Sequence, residues 1–158
     1  MELSHIDKKG NATMVDVSNK QNSVRTAVAT GTISMSPTAF EMVTTQNIKK
    51  GDVLTVSKVA GIMAAKNTSN IIPMCHQLSL SFIDVDIQSN DDLHTFTVIS
   101  TAKTTDKTGV EMEALTAVHI TLLTMYDMIK AVDKKMIISN IHLVSKTGGK
   151  SGGFTYEG

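Results

Sequence analysis

TGVEMEALTAVHITLLTMYDMIKA, residues 108–131, is the longest helical pattern in this chain of 158 residues. Val118, Leu122, Met125, Ile129 and Val132 recur at the four-then-three spacing of one helix face. Ile120 and Leu123 lie off that stripe, so the middle of the helix is apolar on more than one side. The pattern predicts a helix covered twice, by a sheet on one side and by another helix or subunit on the other. Asp127 and Lys130 share the opposite face at a spacing that lets them pair. Glu113 lies near that face but 14 residues earlier. At a rise of about 1.5 Å per residue, the two carboxylates are roughly 21 Å apart. One compact pocket of a single chain does not hold both. If both act, there are two sites, or one site built across a subunit interface.

The flanking segments supply the sheet. Upstream, residues 1–22 are polar and read as an extended arm with an apolar anchor at Met14, Val15 and Val17. Residues 24–34 alternate as a strand, Val24, Thr26, Val28, Thr30 and Thr32 against Arg25, Ala27, Ala29, Gly31 and Ile33. Ser36 with Pro37 is a helix start, Ser as cap and Pro at the first helical position. Asp52 caps a second helix over residues 53–66, with Val56, Val59, Ala60 and Met63 at helical spacing, and the small pairs Ala60-Gly61 and Ala64-Ala65 permit close approach of a neighbouring backbone. Residues 67–73 read as a loop. Leu78, Leu80 and Phe82 then alternate in a strand, but Ile83, Val85 and Ile87 continue on the other parity. That slip predicts a bulge near Phe82 and Ile83. Residues 89–92 form a hairpin loop before a strand over 94–104. After the long helix, residues 136–145 are the last strand, and 147–158 form a Gly-rich tail.

The order β-α-α-β-β-α-β contains the split β-α-β pattern, once one helix is set aside. The expected class is therefore α+β, a ferredoxin-like antiparallel sheet with helices packed on one face. Residues 23–146 make a single domain between the arm and the tail. Fold alone does not give a function.

Composition narrows the classes. Fifteen basic and fifteen acidic side chains cancel, so neither nucleic acid nor a membrane surface is an expected partner. One cysteine excludes an internal disulfide, and no Cys/His spacing resembles a metal site. A polar N-terminus and the lack of a membrane-length apolar run lead us to expect a cytoplasmic protein.

The candidate chemistry lies in lysines and carboxylates. Lys50, Lys66, Lys130, Lys146 and Lys150 sit at element ends or on the polar face of the long helix. Singly, each reads as a solvated surface lysine; converging beside Gly-rich backbone, several make a polyphosphate site. A desolvated lysine also serves as an acid or base near neutral pH. Cys75 and His76 are adjacent and point to opposite sides of an extended chain, which favours a packed thiol and a pocket histidine over a nucleophile–base pair. His5, His94, His119 and His142 have no ligand spacing and read as incidental. Glu111 and Glu113 point apart if both are helical, and share a face only if the helix begins after them. Asp127 with Lys130 reads, on sequence physics alone, first as a surface ion pair of little energetic weight.

Three strings go further: KGDVLTVSKVAGIMAAKNTSNIIPMCHQLSL, KTGVEMEALTAVHITLLTMYDMIKA and SKTGGKSGGF. With HID and MVDVS near the N-terminus, they closely resemble the molybdenum cofactor biosynthesis protein C family of cyclic pyranopterin monophosphate synthases. The likeness spans about residues 3–154 and departs at Gly153, where a polar residue is expected. It implies a ferredoxin-like subunit in a homohexamer, a trimer of dimers with sites at subunit interfaces. It implies a substrate, 3',8-cyclo-7,8-dihydro-GTP, supplied by a radical S-adenosylmethionine GTP cyclase, and pyrophosphate release with no cofactor. By motif, Lys50, Lys66, His76, Glu111, Glu113, Asp127, Lys130 and Lys146 are the implied functional set. Met74, Cys75 and His76 with Met112 and Glu113 match substrate-binding segments, and Asp127 matches the principal catalytic position. Proton shuttling then suits Asp127, Lys66 and Lys130, while phosphate neutralisation suits Lys50, Lys146, Lys150 and Arg25. Two other classes compete with this reading: a non-catalytic ferredoxin-like nucleotide-binding regulatory module, which binds its ligand unchanged, and a structural oligomer, which binds none.

Overall fold

The computed structural model describes residues 4–45, 52–150 and 152–157. Nine elements follow in order: β1 (Ser23–Ser34), α1 (Pro37–Thr44), α2 (Val53–Lys66), α3 (Thr68–Ile71), β2 (Leu80–Asn90), β3 (Thr95–Asp106), α4 (Glu111–Ile129), β4 (Ile137–Thr147) and β5 (Phe154–Thr155). The strands form one sheet in the order β2-β3-β1-β4-β5, and every pairing is antiparallel. With α1, α3 and β5 set aside, this is the split β-α-β arrangement expected of a ferredoxin-like α+β protein.

The long helix lies on the central strand because β1 is small there. A Cβ at Gly31 would stand 2.9 Å from both Leu122 and Val118 and 2.8 Å from Ile141. Val118, Leu122, Met125 and Ile129 are fully buried, together with Ala29, Ile33, Val85 and Val98 from the sheet. Val132 leaves the predicted stripe: α4 stops at Ile129, and Val132, in the following turn, is 42% exposed. At the other end the helix begins at Glu111 rather than Thr108.

In α2 the small residues face the core, and the apolar stripe does not. Val56, Val59 and Met63, with the helical spacing of a core face, are 45–59% exposed, and Ala60 is half-buried. The buried face carries Ser57, Gly61, Ala64 and Ala65 instead. Gly61 abuts the Thr121 hydroxyl, and a Cβ there would also stand 2.8 Å from the Ala117 carbonyl. Two helices this close admit only small side chains between them, so the larger apolar residues turn outward. A Gly61→Val substitution therefore forces α2 from α4 and is expected to cost about 1–3 kcal/mol or more by overpacking. Urea unfolding measures it; an unchanged midpoint would mean that the contact is not close.

Smaller differences have local causes. Residues 68–71 close a helical turn within the expected loop, where the Thr68 hydroxyl donates to the Ala65 carbonyl at 3.0 Å. The strand slip occurs between Leu80 and Phe82, slightly earlier than predicted. The Gly-rich tail folds back as β5, pairing Lys146 with Phe154, and the Tyr156 amide donates to the Val144 carbonyl at 2.8 Å. Gly148 makes this reversal possible: its φ is +92°, and a side chain there would strike the Val24 carbonyl. The caps appear as read, Ser36 accepting from the Ala39 amide and Asp52 from the Thr55 amide. Among the described residues, no helix is long and apolar enough to cross a membrane.

Candidate active site

One groove runs along the edge where β1, β4 and the start of α4 meet. Arg25, near the beginning of β1, donates from Nε to the Asp106 carbonyl at 2.9 Å and from Nη2 to the Lys107 carbonyl at 3.1 Å. These bonds fix the loop that leads into α4. Gly149, with φ +81°, lies against the Arg25 guanidinium, so the Gly-rich turn after β4 is laid on the same side chain. On β4, Lys146 Nζ donates to Glu111 Oε1 at 2.7 Å. A cavity of about 200 Å³ collects Lys20, Arg25, Lys107, Glu111, Lys146 and the Gly148 backbone. A neighbouring cavity of about 410 Å³ adds Lys150. Five cationic side chains thus converge beside glycine backbone, with one carboxylate already paired among them. That is the composition of a polyphosphate site.

A third cavity, of about 390 Å³, shares Lys20, Thr108, Gly109 and Glu111 with the first and continues the groove. Its walls carry His5, Met74, Cys75, His76, Met112 and Glu113. Because α4 starts at Glu111, the two glutamates are both helical and diverge: Glu111 reaches Lys146 while Glu113 is buried at 4% exposure. Burial pushes the Glu113 carboxyl up to about 7, with a further rise from the Glu111 charge, against a lowering hydrogen bond to its own backbone. The Cys75 thiol is also pushed up, by burial and then by Glu113, which keeps it protonated and unsuited to nucleophilic attack. His76 Nε2 lies 2.8 Å from the Val15 carbonyl. A carbonyl only accepts, so Nε2 carries the hydrogen.

The raised Glu113 value has a thermodynamic consequence. Between about pH 4.5 and 7 the folded chain holds a proton that the unfolded chain has released, so stability falls as pH rises through that window. The loss approaches about 3 kcal/mol by pH 8. A Glu113→Gln variant is expected to lose this slope and to gain on the wild type at pH 8 relative to pH 5 in urea unfolding. Parallel pH profiles for the two proteins would contradict it.

The remaining candidates lie elsewhere. Asp127 and Lys130 are exposed at the far end of α4, with Lys130 Nζ donating to Asp127 Oδ1 at 2.5 Å. The hydrogen bond and charge of Asp127 hold the Lys130 ammonium above its usual value. Both line a separate cavity of about 490 Å³ with Leu123, Thr124 and Tyr126. Lys66 is the exposed last residue of α2 and borders none of these cavities. Lys50 lies outside the described residues. A single chain therefore brings together Arg25, Met74, Cys75, His76, Glu111, Met112, Glu113, Lys146 and Lys150, and separates them from Asp127 and Lys130. Lys20 and Lys107 join the groove without having been singled out, and His5, read from the sequence as incidental, lines it as well. Lys107 opens the quoted string that precedes α4, and Lys20 follows MVDVS by one residue, but neither has a spacing that marks it as a ligand.

Comparison with known proteins agrees with the strings. The MoaC family matches residues 14–149 of the chain. A protein of Clostridium perfringens (strain SM101 / Type A), named cyclic pyranopterin monophosphate synthase, is 54% identical over 155 residues, covering 98% of each chain. Proteins of the same name from Limosilactobacillus fermentum and Staphylococcus aureus (strain JH9) are 53% and 54% identical. These matches cover 98% and 97% of this chain and 93% and 95% of theirs.

Proposed function

Since the chain belongs to the MoaC family, we infer that it is a cyclic pyranopterin monophosphate synthase, a lyase of molybdenum cofactor biosynthesis. The observation that carries the reading from sequence to site is the cationic groove joined to a pocket with a near-neutral carboxyl. A substrate with a triphosphate at one end and a purine-derived ring at the other needs both parts. We take that substrate to be 3',8-cyclo-7,8-dihydro-GTP, delivered by a radical S-adenosylmethionine GTP cyclase.

Forming a cyclic phosphate from a triphosphate requires a hydroxyl of the substrate to attack the α-phosphorus. The bond from that phosphorus to the bridging oxygen breaks, and pyrophosphate leaves with the electron pair. Arg25, Lys146 and Lys150 in the groove, with Lys50, neutralise the departing charge. The hydroxyl proton and those of the ring rearrangement pass to and from protein groups. Glu113, with a value near 7, is suited to both directions. His76 presents Nδ1 to the ring, and Met74, Cys75 and Met112 shape the pocket.

Asp127, the principal catalytic position by motif, stands 14 residues along α4 from Glu113, about 21 Å away. We propose that the site is composite: one subunit supplies the groove, and another supplies Asp127 and Lys130, with Lys66. The exposed faces of Val56, Val59 and Met63 on α2 and of Leu123 on α4 favour covering by a second copy, consistent with a homohexamer. A cytoplasmic setting fits a substrate made from GTP. The direct test supplies the purified protein with 3',8-cyclo-7,8-dihydro-GTP and follows pyrophosphate and the fluorescent oxidation product of the pterin. Formation of both is expected. Substrate bound but recovered unchanged by folded, oligomeric protein would leave a binding module instead.

A further inference from the structure

The segment before β1 is built into the wall of the groove rather than lying as a bare extended arm. Its start is a small closed turn, with Ile6 bridged to Ala12 and the Asp7 carboxylate accepting from the Lys9 and Asn11 amides at 2.8 Å. The chain is next held at two points. His76 Nε2 donates to the Val15 carbonyl at 2.8 Å, and Lys107 Nζ donates to the Ser18 carbonyl at 3.0 Å. Between them the Asp16 carboxylate accepts from the Ser18 amide and hydroxyl at 2.8 and 2.6 Å, which stiffens the turn. Lys20 follows two residues after the second hold and lines all three cavities of the groove. Lys8 and Lys9, exposed on the same segment, line none of the three.

We propose that residues 15–20 are a working part of the substrate site, with Lys20 a further cation for the polyphosphate and Lys107 the positioning residue that holds it there. Both holds attach to side chains of the groove itself, so this segment and the pocket set each other's geometry. The proposal rests on reading the groove as the polyphosphate site. Lys20 stands where the cationic and ring-binding parts meet, the place a triphosphate crosses on its way to the pocket. The Lys107 ammonium has three hydrogens, and the one given to Ser18 fixes the backbone from which Lys20 reaches.

The test titrates full-length protein with inorganic pyrophosphate by calorimetry and measures turnover alongside. Lys20→Met is expected to weaken pyrophosphate binding by about tenfold and to raise KM by a similar factor, with little change in kcat. Lys20→Arg restores both, and Lys8→Met changes neither. Lys107→Met weakens binding too, while the double variant Lys20→Met/Lys107→Met is no weaker than Lys20→Met alone. Lys146→Met is run beside them. If it loses pyrophosphate binding while Lys20→Met matches Lys8→Met, Lys20 is not a ligand and the groove reading stands. If Lys146→Met also keeps full affinity, the groove reading fails and the proposal with it. Additive losses in the double variant would make Lys107 a direct ligand and overturn its positioning role.

Discussion

An Asp127→Asn variant is expected to fold and assemble normally, bind substrate, and turn it over about 10²–10⁴-fold more slowly. The folding half of this expectation follows from exposure. In the single chain the Asp127 side chain is 62% accessible and its partner Lys130 is 53% accessible, so neither belongs to the chain's own core. Such a pair contributes little to stability. A large loss of activity with unchanged melting therefore has to come from chemistry. The amide keeps the size and some hydrogen bonding of the carboxylate but neither accepts a proton nor holds the Lys130 ammonium above its usual value. Single-turnover rates with 3',8-cyclo-7,8-dihydro-GTP separate the chemical step from binding. Wild-type rates in the variant would reduce Asp127 and Lys130 to a surface ion pair.

The second large effect is expected at Lys146. Lys146→Met removes the ammonium at the centre of the cationic groove and leaves Glu111, its 2.7 Å partner, as an uncompensated negative charge facing the substrate. Both changes oppose a triphosphate. The loss of charge stabilisation as pyrophosphate leaves is expected to lower kcat by about 10²–10³, and pyrophosphate affinity falls with it. A Lys146→Met/Glu111→Gln double variant recovers part of the binding by removing the stranded carboxylate. Steady-state kinetics and pyrophosphate titration check both statements. A Lys146→Met enzyme with unchanged kcat and product affinity would show that the leaving group is bound elsewhere.

Most of the fold was legible because its signals were local. The alternation in β1, the Ser36 and Asp52 caps and the stripe of Val118, Leu122, Met125 and Ile129 each depend on a few neighbouring residues. In α2 the small residues at 60–61 and 64–65 already permitted a close approach, but helical spacing marks a stripe without saying which face meets the neighbour. Gly61 against Thr121 is a contact between residues 60 apart in sequence, and it is that contact which selects the small side chains for the core. The site divides in the same way. The distance along α4 already separates Glu113 from Asp127. The convergence of Lys20, Arg25, Lys107 and Lys146 depends on the antiparallel β1–β4 pairing and the turn at Gly148, so no spacing announces it. Lys107 is placed through the Ser18 carbonyl, and Arg25 through those of Asp106 and Lys107, and backbone carbonyls carry no sequence signature.

The composite site is the central claim, and subunit complementation tests it most directly. Asp127→Asn and Lys146→Met proteins, each nearly inactive, are mixed under conditions that exchange subunits, and pyrophosphate release is followed. If each site takes its groove from one subunit and Asp127 from another, random pairing gives some sites with two intact halves, and about a quarter of wild-type activity returns. If mass spectrometry shows that exchange has occurred and activity stays at the level of the separate variants, each site is contained in one chain and the composite account is wrong.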